Sequence, residues 1–552
     1  MTNNKIIKAL VKVTNQRDIH LEPPEVEEHG DYSTNIALRL KTSAKEIVAK
    51  LQKDKELSEI VEKIEVAGPG FVNFYLKDDY LINNLSGVGG SYGKNNSLDA
   101  KKIIVEFTDP NPFKEFHIGH LYSNTVGESI CRLLESSGGE VKRANYQGDV
   151  GLHVAKSIWG LIRLGYDGQG IKKLEDKSID EKVKELGKAY SLGTTAYDET
   201  EKSKQEIEEL NKKIFELDPE IKNLYEKGRA WSLEYFEKVY KRLGTKFDYY
   251  YFESASGKVG LEIVQDFLKK GVFEKSEGAI IFPGEKYGLH TRVFINSQGL
   301  PTYEAKELGL APTKYKDFKY DLSIIITANE IDEYFKVLLA ALKKINPSLG
   351  EKTMHLSHGI VKLPEGKMSS RTGKIVTGEW LLDEVKKKII ELHKTDEQTA
   401  EKIAVGAVKY ALLKSNLGQD IVFSFEESVS VDGNSGPYLQ YTYARTQSVI
   451  KKSKDIKENK IKSKDTLYPE EKSVLRLLNM FPEVVEKSAA TYSPSTLCTY
   501  LYNLAQKYNT FYNKHKVIGS QKEEFRLKLT SATGIVVKSG LNLLGIDSPE
   551  RM

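Results

Sequence analysis

Only two cysteines, Cys131 and Cys498, occur in 552 residues, far apart in the chain. Such a pair fits neither a disulfide framework nor a zinc site, and it points to a reducing, cytosolic setting. No apolar run approaches the roughly 20 residues needed to cross a bilayer. The opening stretch MTNNKIIKALVKVTNQRD has neither a sustained apolar core nor a small-residue cleavage site, so no secretory signal is expected. No internal repeat is present. What remains is ordinary for a soluble globular protein: 29% charged and 39% hydrophobic residues, with length enough for three or more domains.

Net charge is only +4, but it is unevenly spread. From Gly436 to Met552 there are 19 Lys and Arg against 11 Asp and Glu, so this stretch carries +8 and the rest of the chain −4. A basic, Tyr-rich last quarter on a slightly acidic body suggests a polyanion held by one domain. A solvated face with a lysine-rich loop at 451–465 is the plainer reading of the same charges.

The chain divides by pattern. Residues 1–85 mix helical and strand-like segments and close on VAGPGFVNFYL (66–76), a Gly-Pro-Gly turn followed by an alternating strand. SGVGGSYGKNNS (86–97) reads as a linker. From 101 the buried-type strand KKIIVEF, a helix after His117 stopped by Gly138 and Gly139, and the strand EVKRANYQGD begin a parallel α/β unit. That unit extends over 86–375, with a charged helical insertion at about 171–245. A helical connecting region (376–435) and a helical domain (436–552) follow.

The loop DPNPFKEFHIGH (109–120) leaves the first strand and opens a helix. Ligands of open parallel sheets sit beyond such strand ends, and a helix N-terminus with free N–H groups favours an anion. His117 and His120 share one side of the first turn, Gly119 gives access to the backbone, and Lys114 lies on the approach. The set suits a nucleotide. The alternative is a pair of capping or surface histidines, although H-x-G-H at a strand–helix junction is improbable with ten His in the chain.

His117-Ile118-Gly119-His120, with Lys367-Met368-Ser369-Ser370-Arg371 downstream, resembles the paired signatures of class I aminoacyl-tRNA synthetases. A mobile loop can bring a lysine to the charge that develops as pyrophosphate leaves ATP. Ser370 stands where the usual loop has a second lysine, and Lys114 could supply that cation, as in some arginyl-tRNA synthetases. Resemblance to the arginyl-tRNA synthetase family extends along nearly the whole chain. It implies a Rossmann-like catalytic domain, a small α+β N-terminal domain that meets the outer corner of tRNA, and an all-α anticodon-binding domain.

The same resemblance implies ATP-dependent activation of arginine, transfer to the terminal ribose of tRNA(Arg), and activation that generally requires bound tRNA. A cytoplasmic monomer using ATP with Mg²⁺ is expected. His117, Gly119, His120, Lys367, Met368 and Ser369 would bind ATP, with His117, His120, Lys114 and Lys367 acting in catalysis. Glu106, Asp109, Asn111, Tyr303 and Glu307 would bind arginine. Asp109 often corresponds to Ser in the family, Glu307 to Asp, and Ile331 to Gln, with Glu330 beside it. Phe71 and Asn73 at one end, and Tyr438, Tyr441, Arg445, Tyr512 and Met552 at the other, would meet tRNA. A lysine-specific class I synthetase and a non-catalytic tRNA-binding paralogue are the alternatives.

Overall fold

The computed structural model describes residues 1–364, 376–453 and 467–552. The lysine-bearing loop Lys367–Arg371 and most of the 451–465 stretch therefore lie outside the described residues. Two compact units emerge: Leu98–Lys388 with Ser415–Phe425, and Met1–Ser97 with Ile389–Lys414 and Glu426–Met552.

The first unit is built on a five-stranded parallel sheet. Its spatial order is Thr353–His358, Leu322–Ala328, Lys102–Glu106, Glu140–Gln147, Tyr249–Phe252. The strands are apolar because helices cover both faces of a parallel sheet; in Lys102–Glu106 every residue after the first is buried. Chain order runs from Lys102–Glu106 outward in one direction, then returns to add Leu322–Ala328 on the other side. This reversal makes a topological switch point between the two central strands, where such sheets bind ligands.

The loop leaving the first central strand is strained and pinned. Thr108, Asp109 and Phe113 have φ of 78°, 43° and 69°, left-handed values that cost a non-glycine residue free energy and gather at functional sites. Phe113 is fully buried in the core of the helical insertion, and its N–H donates to Ser232 Oγ at 2.9 Å. The insertion consists of helices Ile179–Glu199, Glu201–Glu216 and Pro219–Leu243. Each starts on a side-chain cap, from Ser178, Thr200 and Asp218, which satisfies N–H groups that a helix start leaves unpaired.

In the second unit the N-terminal three-stranded antiparallel sheet (order Tyr32–Thr34, Phe71–Leu76, Val61–Ala67) packs with the C-terminal helices. Glu483 of helix Pro469–Ala490 accepts from the Tyr32 hydroxyl at 2.9 Å and the Asn3 N–H at 2.8 Å, and Arg476 pairs with Asp31 at 2.7 Å. The 86–97 stretch is more than a linker: Tyr92 stacks on Phe481 and donates to the Leu478 carbonyl at 3.0 Å.

Asp149, fully buried after the Glu140–Gln147 strand, ties three elements of the first unit together. It accepts from Tyr225 (3.1 Å), Arg229 Nε (3.0 Å), Ser254 N (2.9 Å) and Ser254 Oγ (2.7 Å). Asp149→Ala strands all four donors and should destabilise this unit by about 3 kcal/mol. Urea unfolding would check this; a loss under about 0.5 kcal/mol would refute the anchoring role.

Candidate active site

A cavity of about 710 Å³ opens at the switch point. Eight expected site residues line it: Glu106, Asp109, Asn111, His117, Gly119, His120, Tyr303 and Glu307. They come from the first strand and its loop, the Ile118–Ser136 helix, and the Tyr303–Asp317 helix. Tyr303 and Glu307, four residues apart, share a face of that last helix as expected.

The histidines form a closed hydrogen-bonded turn. His117 Nδ1 accepts from Gly119 N at 3.1 Å and His120 N at 3.3 Å, while His120 Nδ1 accepts from His117 N at 3.2 Å. The rings stack with centroids 3.5 Å apart. A β-carbon at Gly119 would sit 3.0 Å from the His117 ring, so the glycine admits this fold-back. The helix start is thus capped by imidazole nitrogens, and capping and ligand binding are not alternatives here. With Nδ1 accepting, each neutral ring carries its proton on Nε2 and offers that N–H to a ligand.

One expectation changes. The helix N-terminus has no free N–H in its first turn: Ile118 N is taken by the Val376 carbonyl at 3.0 Å and Leu121 N by the His117 carbonyl at 3.2 Å, and the two between them go to His117. An anion would meet imidazole donors and the helix dipole rather than open backbone amides. Val376 and Gly378, just beyond the undescribed stretch, pair with Ile118 and Phe116, so the chain rejoins beside the histidines.

Lys114 is not among the cavity-lining residues; its ammonium lies 4.5 Å from the centre of the Tyr190 ring on the insertion. It is still close enough to bear on both imidazoles. Burial and then the Lys114 charge lower the His117 pKa to about 4, and burial, His117 and Lys114 push His120 well below the usual range.

The acids differ in what they already hold. Glu106 and Lys314, each 1% exposed, form an ion pair at 2.5 Å. Buried Glu253 pairs with Lys306 at 2.5 Å, and Glu304 with Arg292 at 3.3 Å. Asp109 accepts from Tyr146 N at 2.7 Å. Glu307 has no hydrogen-bond or ion-pair partner among the described residues. Burial and then the Glu106 charge raise the carboxyl pKa of both Asp109 and Glu307. Asn111 lies so tightly over Gly148 that a β-carbon there would collide with its Oδ1. Ile331 and Glu330 both line the cavity, and Tyr303 stands half exposed at its rim.

Glu253, Arg292, Tyr334 and His358 also line the cavity and were not anticipated from sequence. Glu253 immediately follows the Tyr249–Phe252 strand and His358 ends the Thr353–His358 strand, so a search of strand ends would have reached both.

A second cavity, about 880 Å³, lies in the C-terminal helices and is lined by Tyr441, Arg445, Tyr512 and Met552, with Lys451, Lys452, Lys516 and Arg551. The Arg445 guanidinium sits 4.8 Å from the Tyr441 ring centre and 5.1 Å from that of Tyr512. Tyr438 lies outside this lining; its hydroxyl accepts from Asn509 at 3.0 Å. At the other end Phe71 is 40% exposed, but Asn73 is 3% exposed and accepts from Ser33 Oγ at 2.7 Å. The Asn73 side-chain oxygen is engaged in the cross-strand pair with Ser33, which leaves this residue little open surface for the expected base contact.

A model described as the catalytic domain of class I (R) tRNA synthetases matches residues 82–425. The chain belongs to the arginyl-tRNA synthetase family. The family's N-terminal domain model matches residues 2–76, and a DALR anticodon binding domain model matches 439–552. Arginine–tRNA ligases of Flavobacterium psychrophilum and Treponema denticola are 33% and 32% identical to it; the alignments cover 88% and 97% of this chain and 85% and 95% of theirs. The fold is that of Thermus thermophilus arginyl-tRNA synthetase, with TM-score 0.83, 23% identity and full coverage of both chains. The Plasmodium falciparum enzyme gives TM-score 0.78 at 23% identity, covering 100% of this chain and 98% of that one.

The low imidazole pKa values make a direct prediction. In an NMR titration His117 should protonate near pH 4 and His120 well below its ordinary range, leaving both neutral from pH 6 to 8. The unfolded chain takes up these protons near 6.5, so the two rings cost stability progressively as pH falls from about 6.5 toward 4. Titration of either ring near its ordinary value would contradict their burial as neutral donors.

Proposed function

We infer that the chain is an arginine–tRNA ligase, which joins arginine to ATP as arginyl-adenylate with loss of pyrophosphate and then passes the arginyl group to the terminal ribose of tRNA(Arg). The observation that carries this reading is one cavity holding both halves of the chemistry. The stacked imidazoles and Glu106, Asp109, Asn111, Tyr303 and Glu307 all line it.

The arginine carboxylate attacks the α-phosphorus, and negative charge grows on the phosphate oxygens and on the departing pyrophosphate. The Nε2–H groups of His117 and His120 are fixed by the capping bonds, so they meet that charge without reorganisation. Their low pKa keeps them hydrogen-bond donors rather than cations that need a counter-charge. Lys114 supplies a positive charge from the loop side, and Lys367, with Met368 and Ser369, completes the ATP site from the loop outside the described residues. Glu307 receives the guanidinium, whose planar fork matches both oxygens of one carboxylate. Asn111 holds the α-amino end. No covalent protein nucleophile is needed, because positioning and charge stabilisation suffice.

Among the described residues no group of three or more His, Cys, Asp or Glu is placed to hold a metal. Mg²⁺ is accordingly proposed only as an ion carried on the ATP phosphates, and no step is routed through it. The Tyr441–Arg445–Tyr512 cluster forms a cationic aromatic platform for unstacked bases, with exposed Phe71 as the contact at the N-terminal end. A cytoplasmic monomer is proposed with this reading, on family resemblance.

Charging of total tRNA with each labelled amino acid should succeed with arginine alone, and charging with lysine or with none would overturn the assignment. His120→Ala should lower kcat by about 10²–10³; a change within a few-fold would remove the imidazoles from the ATP site. Arg445→Ala should raise the KM for tRNA by about tenfold with the KM for arginine unchanged, since one stacking contact is worth about 1–3 kcal/mol.

A further inference from the structure

Among the acids around the catalytic cavity, Glu106 is the most enclosed, and like Glu253 with Lys306 it is joined to a buried lysine. Glu106 ends a central strand and Lys314 lies in the Tyr303–Asp317 helix, 208 residues later. Lys314 Nζ donates to Glu106 Oε2 at 2.5 Å, and each residue is 1% exposed. The other carboxylate oxygen, Oε1, has no hydrogen-bond partner among the described residues, and Glu106 lines the cavity.

We propose that Lys314 is a positioning residue for arginine: its ammonium holds Glu106 ionised by one oxygen and leaves the other oxygen turned to the substrate. The inference rests on the arginine-ligase reading and adds to it a residue that does not line the cavity.

The physical case is one of crowded charge. Asp109, Glu253, Glu304, Glu307 and Glu330 line the cavity with Glu106. Glu253 and Glu304 have their own cations in Lys306 and Arg292, and without Lys314 the buried carboxyl groups of Glu106, Asp109 and Glu307 would compete to ionise. A buried carboxylate deprived of its partner takes up a proton or rotates away. Of these three acids, Glu106 is the one with a lysine ammonium on a carboxylate oxygen among the described residues, whereas burial and the Glu106 charge raise the carboxyls of Asp109 and Glu307. Lysine gives a point charge on one oxygen, whereas a guanidinium at this position could take both. The single-point contact is what leaves Oε1 to the substrate.

The test uses the full-length enzyme with tRNA and measures the KM for arginine, kcat and their pH dependence for wild type, Lys314→Met and Glu106→Gln/Lys314→Met. In Lys314→Met the KM should rise by about tenfold or more, with kcat at saturating arginine changed far less. That KM should fall again as pH rises, because Glu106 without its ammonium ionises only at higher pH. In the double variant the KM should stay raised and lose this added pH dependence.

A folded Lys314→Met enzyme with a KM within threefold of wild type and a parallel pH profile would overturn the proposal, as would a double variant with a KM within threefold of wild type. Failure of both variants to fold would also overturn it, by showing a pair needed only for stability. If Lys314→Met alone fails to fold, Lys314→Arg decides, since a guanidinium can take both carboxylate oxygens: a raised KM for arginine supports the proposal, and a KM within threefold of wild type overturns it. Wild type that does not charge tRNA with arginine would instead count against the parent reading of function.

Discussion

Ionised carboxylates at the end of a parallel sheet are expensive, because the strand ends are walled by helices and water is largely excluded. An unpaired buried charge costs several kcal/mol, so a crevice lined by several acids has to supply most of its own cations. Lys314 on Glu106, Lys306 on Glu253 and Arg292 on Glu304 do so. Two of these lysines and Glu307 lie on the single helix Tyr303–Asp317, so the position of that helix against the sheet sets the charge balance of the whole cavity. Its close packing on helix Glu253–Lys269 follows from Gly260 and Gly309, where the two backbones approach too closely for any side chain.

The same constraint governs the loop from 107 to 117. Three residues in left-handed conformations are held there by Phe113 in the insertion core and by Asp109 on the Tyr146 amide. Fixing the loop fixes where the helix starts, and the His117 imidazole then completes that start by accepting from Gly119 N and His120 N, while the His120 imidazole accepts from His117 N. Stacked, neutral and enclosed, they are preorganised donors whose orientation is already set before a ligand arrives. Charged imidazoles in the same place would need counter-ions, and burial with Lys114 nearby disfavours them.

In the second compact unit the constraint is pairing between distant segments. The N-terminal domain is joined to helix Pro469–Ala490 by Glu483, Arg476, Lys472 and Asn479, which engage Tyr32, Asp31, Asp78 and Thr2. The two ends expected to touch tRNA therefore belong to one body, although more than 300 residues separate them in the chain. Exposed aromatic and cationic groups remain on it: Phe71 at one end, Tyr441 and Tyr512 around Arg445 at the other.

Local pattern in the sequence determined a good deal. The apolar run before 107 and the helical spacing after His117 specify a strand and a helix from neighbours alone, and the His-Ile-Gly-His turn with the acids of VEFTDPN and Tyr303–Glu307 marks the cavity. Partners far apart in sequence were decided only by the tertiary structure. Nothing local distinguishes Lys314, which neutralises Glu106, from the surface lysines around it, or shows that Lys114 rests on Tyr190, that Asn73 is spent on Ser33, or that Tyr438 turns to Asn509. Helix and strand patterns arise from bonds within a few residues. Which buried charge finds which counter-charge depends on how sheets and helices stack, and that is settled only when the layers meet.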